Sequence, residues 1–326
     1  MSDTVTQESF ASLVSYWSDS RQYLRWRSIF ILPTWLQVWW QTFGSGAELY
    51  LGVVRQEAQI IGIAPLQIRG GEASIIGSAD VCDYLDFVVA PDREGDFFDR
   101  LLDDLVQKGI TCLNLGLLRT DSTVLTSLVH IARDRGYDVL CHEEDVSLEL
   151  DLPSTWDEYL AALTGKQRHE VKRKLRRLGG AGKVAYHFVE DNVVARPVMD
   201  EFLEMFAEGR REKAAFMAGQ MESFFRSLAE AMAKAGLLKL GVLELDASLV
   251  AMVMCFDYND SVYLYNSGYD SRYRSLSVGL LAKVLCIKES IQQGRQKFDF
   301  LKGVETYKYH LGGSEIPLYQ CRITIK

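Results

Sequence analysis

The sequence predicts two α/β domains related by duplication. Three observations predict this. The chain has 326 residues, about twice a usual domain, and its 48% hydrophobic content can fill two cores. Leu49 to Pro65, LYLGVVRQEAQIIGIAP, aligns without a gap with Leu238 to Met254, LKLGVLELDASLVAMVM. Downstream, both copies lead to a helix, a glycine and an apolar strand: FFDRLLDDLVQKGITCLNLGLL in the first, SVGLLAKVLCIKESIQQGRQKFDFLKG in the second. A repeat spaced this widely is too long for a solenoid unit and suits a duplicated domain.

Within the aligned windows, Leu49, Leu51, Gly52, Val53 and Ala58 match Leu238, Leu240, Gly241, Val242 and Ala247. Each window reads as strand, polar turn and second strand, a β-hairpin. The first domain is placed at residues 1–152, with strands near 48–68, 73–89, 110–118 and 137–150 and helices near 92–108 and 121–136. Ahead of these, Thr34 is read as the cap of a helix from Trp35 to Phe43, with Leu36, Trp39, Trp40 and Phe43 on one face and Gly44 as its stop. That face serves either core packing or an interfacial contact. The second domain is placed at residues 153–326, opening where Pro153 breaks a strand and Ser154 or Thr155 can cap the next helix. Its strands are expected near 183–190, 237–258, 261–268, 296–302 and 316–325, with long helices between them.

The net charge of −8 argues against a surface devoted to nucleic acid, and DNA is not expected as a partner. The cysteines at 82, 112, 141, 255, 286 and 321 show no metal-ligand spacing and read as free thiols; no metal is expected. The start MSDTVTQESF has neither the basic residues nor the apolar run of a targeting segment, so a cytoplasmic protein is expected. SIFILPTWLQVWWQTFG is broken by Pro33, Thr34, Gln37 and Gln41, so no transmembrane segment is expected.

Charge concentrates at residues 166–183, KQRHEVKRKLRRLGGAGK, which carry +7 and leave −15 for the rest of the chain. Val171, Leu175 and Leu178 form an apolar stripe; Arg168, Lys172 and Arg176 form a second row, and His169, Arg173 and Arg177 a third. A solvated helix surface and an anion site both stand open here. The anion would be a cofactor phosphate, an acidic glycan or RNA.

A second concentration is NSGYDSRYRSLSVGLLAKVL, Asn266 to Leu285. A strand passes through a polar turn holding Arg272 and Arg274 to a helix capped by Ser275 or Ser277, with Gly279 in its first turn. Free amides, the positive end of a helix dipole and a glycine make a phosphate cradle. Near the end comes KFDFLKGVETYKYHLGG, where Phe298 and Phe300 alternate with Asp299 and Gly303 ends the run. The acid, lysine and tyrosines gathered there mark either a surface turn or the lip of a site.

Arg274, Ser277 and Gly279 sit where the Gcn5-related N-acetyltransferase (GNAT) superfamily has its pyrophosphate loop, R/Q-x-x-G-x-G/A, with Ser277 in place of the first glycine. The combination of this turn, SGYDSRYRSLSVG, with WLQVWWQTFG, KQRHEVKRKLRRL and FDFLKGVETYKYHLG resembles the BioF2-like acyltransferases, which include CelD-type proteins and are related to the FemAB peptidyltransferases. The resemblance runs over about residues 30–320, and Val278 stands where such proteins often carry a proline. It implies tandem GNAT-like domains, each a mixed, mostly antiparallel sheet flanked by helices, the first degenerate, because the first copy has neither the RxxSxG turn nor a basic helix.

The activity the resemblance implies is acyl transfer, acetyl above all, from acetyl-CoA to an amine or hydroxyl. The acceptor would be a small molecule or a glycan in polysaccharide or cell-envelope biosynthesis. Arg272, Arg274, Ser277, Val278 and Gly279 would hold CoA. Asp299 would orient or deprotonate the acceptor, and Tyr307 would protonate the leaving thiolate, with Tyr309 one strand-period away as its alternate. Glu305 and Lys308, with Arg168 and Lys172 of the basic helix, would grip the acceptor. Two other classes stay open: a FemAB-like transferase that takes aminoacyl-tRNA, and an inactive GNAT-like module of a polysaccharide assembly.

Overall fold

The structure, a computed structural model, describes residues 4–20, 23–189, 192–208 and 219–325. Its contacts divide the chain into two compact units. The first runs to Val146 and resumes at Ile316; the second is Ser147–Glu315. Relative to the expected halves 1–152 and 153–326, the break falls inside a strand, and the final strand, expected in the second domain, joins the first unit.

The first unit holds β1 (Thr4–Gln7), α1 (Phe10–Ser20), α2 (Pro33–Phe43), β2 (Glu48–Gln56), β3 (Gln59–Arg69), β4 (Glu72–Ile75), β5 (Val88–Val89), α3 (Glu94–Gln107), β6 (Cys112–Arg119), α4 (Val129–Asp134) and the start of β7 (Asp138–Asp151). The second takes the end of β7, then α5 (Trp156–Ala162), α6 (Gly165–Gly179), β8 (Val184–Val189), α7 (Asn192–Glu208), α8 (Gln220–Lys234), β9 (Leu238–Leu245), β10 (Ser248–Tyr258), β11 (Ser261–Tyr269), α9 (Val278–Gln292), β12 (Lys297–Lys302) and α10 (Thr306–His310). β13 (Ser314–Thr324) follows. In the first unit the strands lie in the order β1-β2-β3-β4-β6-β13-β7, with β5 beside β3; in the second the order is β7-β12-β11-β10-β9-β8. The hairpins are antiparallel, while β4 with β6 and β11 with β12 run parallel.

The duplicated hairpins share a register residue by residue. Leu49 opposes Gln67 as Leu238 opposes Phe256, and Val54 opposes Gly62 as Leu243 opposes Ala251. The pairing then slips by one residue at the same place in both, leaving Ile61 and Val250 as matching bulges. The correspondence continues past the sequence match: Val5 pairs Val54 as Tyr186 pairs Leu243, and Leu66 pairs Ile75 as Cys255 pairs Leu264. The tight turns match as well, with Glu57 at φ 57° and Asp246 at φ 51°, the left-handed conformation that a two-residue hairpin turn demands.

Each sheet is covered by an apolar helix face. In the first unit α3 buries Phe97, Phe98, Leu101, Leu102 and Leu105, and Phe97 and Phe98 meet edge-to-face at 4.9 Å. A Cβ at Gly62 would fall 2.2 Å from the Phe97 ring, so glycine is what lets that ring lie on β3. In the second unit α9 buries Val278, Leu281, Ala282, Val284, Cys286 and Ile287 on one face of the sheet, and α8 buries Phe224, Phe225 and Leu228. Full burial of one such side chain contributes about 2 kcal/mol.

Several expectations need correction. α2 starts at Pro33, whose lost N–H costs nothing in a first turn, and Thr34 makes no cap. Trp35, Leu36, Val38 and Trp39 form its buried face, so Trp35 and Trp39 are core, while Trp40 and Phe43 of the expected face are half-buried. The strand expected over 73–89 is two short strands separated by an irregular segment. Cys141 and Cys321 are disulfide-bonded, because β7 and β13 are neighbours in the first unit although 180 residues separate the two cysteines. Cys82, Cys112, Cys255 and Cys286 are buried and outside any disulfide. Among the described residues no helix is long and apolar enough to cross a membrane.

One buried acid of the first unit makes its stability depend on pH. Asp86 is 5% exposed and accepts hydrogen bonds from the amides of Phe87 and Thr123 and from the Thr123 hydroxyl at 2.6 Å. Burial outweighs these donors and raises its carboxyl from 3.8 to about 6. The folded state therefore holds this proton more tightly than the unfolded chain, and the stability contribution falls as pH rises through that window. Urea unfolding from pH 3.5 to 7 should show the wild type losing about 3 kcal/mol relative to Asp86→Asn. A difference that stays flat would place Asp86 at an ordinary carboxylate value.

Candidate active site

In the second unit β11 and β12 pair only at Ser261–Lys297, Val262–Phe298 and Tyr263–Asp299. Beyond that point β11 stays with β10 as far as Tyr269, while β12 stays with β7 as far as Lys302. Two parallel neighbours thus part into a wedge. A bulge in each strand helps to open it: Tyr265 is skipped in the pairing of β11, and Phe300 in that of β12. Leu301, just past the second bulge, has φ 63°, and its amide donates to the Asp299 carboxylate at 2.7 Å. Gly268, farther along β11, lets the α7 backbone approach closely, since a Cβ there would meet Phe206 N at 2.8 Å.

The chain leaves β11 through a 3-10 turn, Ser271–Leu276, and enters α9 at Val278. Asp270 caps that turn by accepting from the Arg272 amide, and it also binds the Arg272 guanidinium at 2.6 Å. Ser277 is left-handed at φ 60°, the conformation that glycine adopts at little cost and the reason a glycine suits this position. The amides of Val278 and Gly279 open the helix, ahead of any intrahelical acceptor. Arg177, in the last turn of α6, donates to the Ser277 hydroxyl at 3.2 Å. The basic helix and the turn therefore meet at one point.

The expected donor-site residues divide accordingly. Arg274 is exposed beside Ser277, Val278 and Gly279, as the loop reading requires. Arg272 is bound by Asp270 and serves the turn itself. Gly279 has a packing reason to be glycine: a Cβ there would lie 2.8 Å from the Tyr269 ring. Arg177 was visible in sequence only as one member of a basic row, and it is the contact to Ser277 that singles it out.

The rest of α6 is anchored and partly neutralised. Thr164 and Gln167 form a capping box, and Gln167 donates onward to the Tyr309 carbonyl at 3.0 Å. Glu170 pairs with Arg173 at 2.8 Å and Lys174 at 3.5 Å, and the hydrogen bond from Arg173 brings its carboxyl down to about 2. Arg168 leans toward the Ala161 carbonyl at the end of α5. Lys172 and Arg176 are exposed.

The segment after β12 is the short helix α10, so a strand period does not relate Tyr307 to Tyr309. Two residues along a helix turn a side chain by roughly 200°, and the two phenols part. Tyr307 packs edge-on against Phe300 at 6.4 Å and lies under the ammonium of Lys283 at 4.9 Å. Its phenol is pushed up by burial, then by Glu305 and Cys255. Tyr309 turns outward and donates to Glu315 at 2.5 Å, a bond that raises its own phenol.

Lys308, expected to grip the acceptor, is 2% exposed and points inward. Its ammonium donates to the carbonyls of Leu301, Lys302 and Gly303 at 3.0, 2.5 and 3.0 Å and pairs with Glu305 at 2.9 Å. It closes the end of β12 and has no donor left for a substrate, and it engages Glu305 as well. Asp299, between Phe298 and Phe300, is 2% exposed, and its carboxylate accepts from the Leu301 amide.

The first unit carries the same plan with its site filled. β4 and β6 pair at Glu72–Cys112 and Ala73–Leu113, and β4 ends at Ile75. The segment that follows buries Val81, Tyr84, Leu85 and Phe87, and the Leu85 amide donates to the Leu117 carbonyl of β6 at 3.0 Å. The chain rejoins β3 as β5, where Gly62 pairs Val89 as Ala251 pairs Tyr269. Ala90 bonds to Ile61 as Asp270 bonds to Val250, but only Pro91, Asp92 and Arg93 then precede α3. Acids at Asp92, Glu94 and Asp96 surround that helix start and would repel phosphate.

Residues 165–309 match the family model described as an acetyltransferase (GNAT) domain, which gives the second unit a GNAT-type acyltransferase domain. No curated protein matches the chain in sequence. In structure the chain is similar to FemX, with a TM-score of 0.66 at 10% identity over 97% of this chain and 96% of that one. It is also similar to the C-terminal domain of a putative lysylphosphatidylglycerol synthetase from Agrobacterium fabrum (TM-score 0.61, 12% identity, 96% and 92% covered). A third likeness is to a tandem GNAT protein from the clavulanic acid biosynthesis pathway (0.50, 13%, 98% of each chain). At these identities the likeness concerns the fold, a tandem GNAT architecture.

Proposed function

We propose that the second unit transfers an acyl group, acetyl above all, from acyl-CoA to an amine or hydroxyl, with a small molecule or a glycan as acceptor. The observation that carries this reading is the wedge between β11 and β12 leading directly to the Arg274–Gly279 turn and Arg177. The donor fits what is there: the amides of Val278 and Gly279, the Ser277 hydroxyl and two guanidinium groups suit a diphosphate, and the wedge offers an extended arm the backbone edges of two strands. Bound acyl-CoA supplies the activated thioester. The chain's own part is to hold the donor, to keep the wedge open through the Asp299–Leu301 bond, and to give a proton from Tyr307 to the departing sulfur. The resemblance to CelD-type proteins supports polysaccharide or envelope biosynthesis as the setting.

A second reading, a FemAB-like transferase that takes aminoacyl-tRNA, is favoured by the exposed Lys172 and Arg176 on α6, which suit a phosphate backbone. Titration calorimetry with acetyl-CoA and with aminoacyl-tRNA separates the two. Acetyl-CoA should bind, and Arg177→Ala should weaken it by about 1–3 kcal/mol, roughly tenfold or more, as a charge-assisted contact to phosphate is lost. Arg272→Ala, which removes a guanidinium bound by Asp270, should change the affinity little. Binding of aminoacyl-tRNA alone would overturn the acyl-CoA reading, and binding without transfer would leave an inactive module.

A further inference from the structure

The buried residues of α9 are apolar except for Ser290, whose hydroxyl donates to the Cys286 carbonyl, and Lys283, the one charged member. This lysine is 8% exposed, and burying an ammonium among Leu281, Ala282, Val284 and Ile287 is costly unless it is well compensated. Its head bends back one turn to donate to the Gly279 carbonyl at 3.0 Å. That places positive charge toward the amino end of the helix, where the helix dipole opposes it. Helix stability therefore does not account for the residue. The same ammonium also lies 4.9 Å from the centre of the Tyr307 ring.

We propose that Lys283 is the positioning residue of the proton donor: it ties the first turn of the phosphate-loop helix to Tyr307 and stabilises the phenolate that Tyr307 becomes during transfer. This rests on the acyl-transfer reading and on Tyr307 as donor. The acceptor nitrogen or oxygen bonds to the acyl carbon as the carbon–sulfur bond breaks with its electron pair on sulfur. The Tyr307 hydroxyl proton goes to that sulfur, the acceptor's proton leaves to water, and the phenolate recovers a proton from water. The groups facing Tyr307 mostly oppose this step. Burial, Glu305 from the segment before it and Cys255 from β10 all raise the phenol, Phe300 of β12 offers only an apolar ring, and the Lys308 ammonium is engaged with Glu305. Lys283, from α9, is the cation placed to offset them, since an opposite charge within about 4–6 Å favours the ionised form.

The test titrates Tyr307 in the full chain carrying 3-fluorotyrosine, whose phenol is more acidic, by fluorine NMR, with Tyr307→Phe assigning the signal. Lys283→Met should raise the Tyr307 midpoint by about one pH unit, and Lys283→Arg should restore it. Single-turnover transfer from acetyl-CoA to hydroxylamine should fall about tenfold in Lys283→Met with acetyl-CoA affinity kept. A folded Lys283→Met with the wild-type midpoint overturns the proposal, and so does an arginine variant that fails to restore it. Should the methionine variant not fold, Lys283→Gln carries the same comparison. The titration needs neither donor nor acceptor, so its failure is distinct from failure to bind acetyl-CoA in calorimetry, which would sink the acyl-transfer reading instead.

Discussion

Tyr307→Phe lowers single-turnover acyl transfer about 100-fold while acetyl-CoA affinity stays within about twofold of wild type; this is the result expected when a general acid is removed and its ring kept. The ring is the part that packs, against Phe300 and under Lys283, so phenylalanine preserves the fold and removes only the hydroxyl. The donor contacts proposed at Arg177, Arg274, Ser277, Val278 and Gly279 do not depend on that hydroxyl, so donor binding should be unaffected. The measurement is rapid-quench transfer from labelled acetyl-CoA at saturating enzyme. A loss under about threefold would mean that solvent protonates the thiolate and that Tyr307 is a wall of the site.

The second large effect concerns stability. Lys308→Ala should destabilise the protein by about 3–5 kcal/mol, because removing one partner of a buried charged network strands the others. Three carbonyls at the end of β12 lose their donor together, and Glu305 loses its cation. Methionine in place of Lys308 fills the volume but supplies no N–H, so it should recover little. Urea unfolding followed by circular dichroism reads the change. A cost under about 1 kcal/mol, the usual size for an exposed pair, would return Lys308 to the acceptor-gripping role first read from its sequence.

Much of the fold is legible in the sequence because the duplication wrote it twice. The identities at Leu49, Leu51, Gly52, Val53 and Ala58 predict a shared hairpin, and the structure extends it to matching bulges at Ile61 and Val250 that no residue type announces. The phosphate turn was legible as a turn, since Ser, Arg and Gly cluster before an apolar helix. Its internal division was not: whether Arg272 or Arg274 faces a ligand depends on Asp270, which captures the nearer one. Lys308 was misread because a lysine in a polar segment looks exposed, and only the return of α10 under β12 turns it inward. Arg177 and Lys283 were missed for a related reason, as their partners lie across tertiary contacts or on a helix face that sequence reads as plain core.

The last strand has a consequence for how the molecule is made. Synthesis delivers the second unit, Ser147–Glu315, as one uninterrupted stretch, so it can fold as it emerges. The first unit begins earlier and finishes later. Its sheet waits for the residues after Ile316 to fill the gap beside β6, and the thiol of Cys141 waits for Cys321. The chain must close a loop as long as the whole second unit, an entropic cost that grows only slowly with length. Without the residues after Ile316 the β6 edge of the first unit stays unpaired, a form open to strand addition and aggregation.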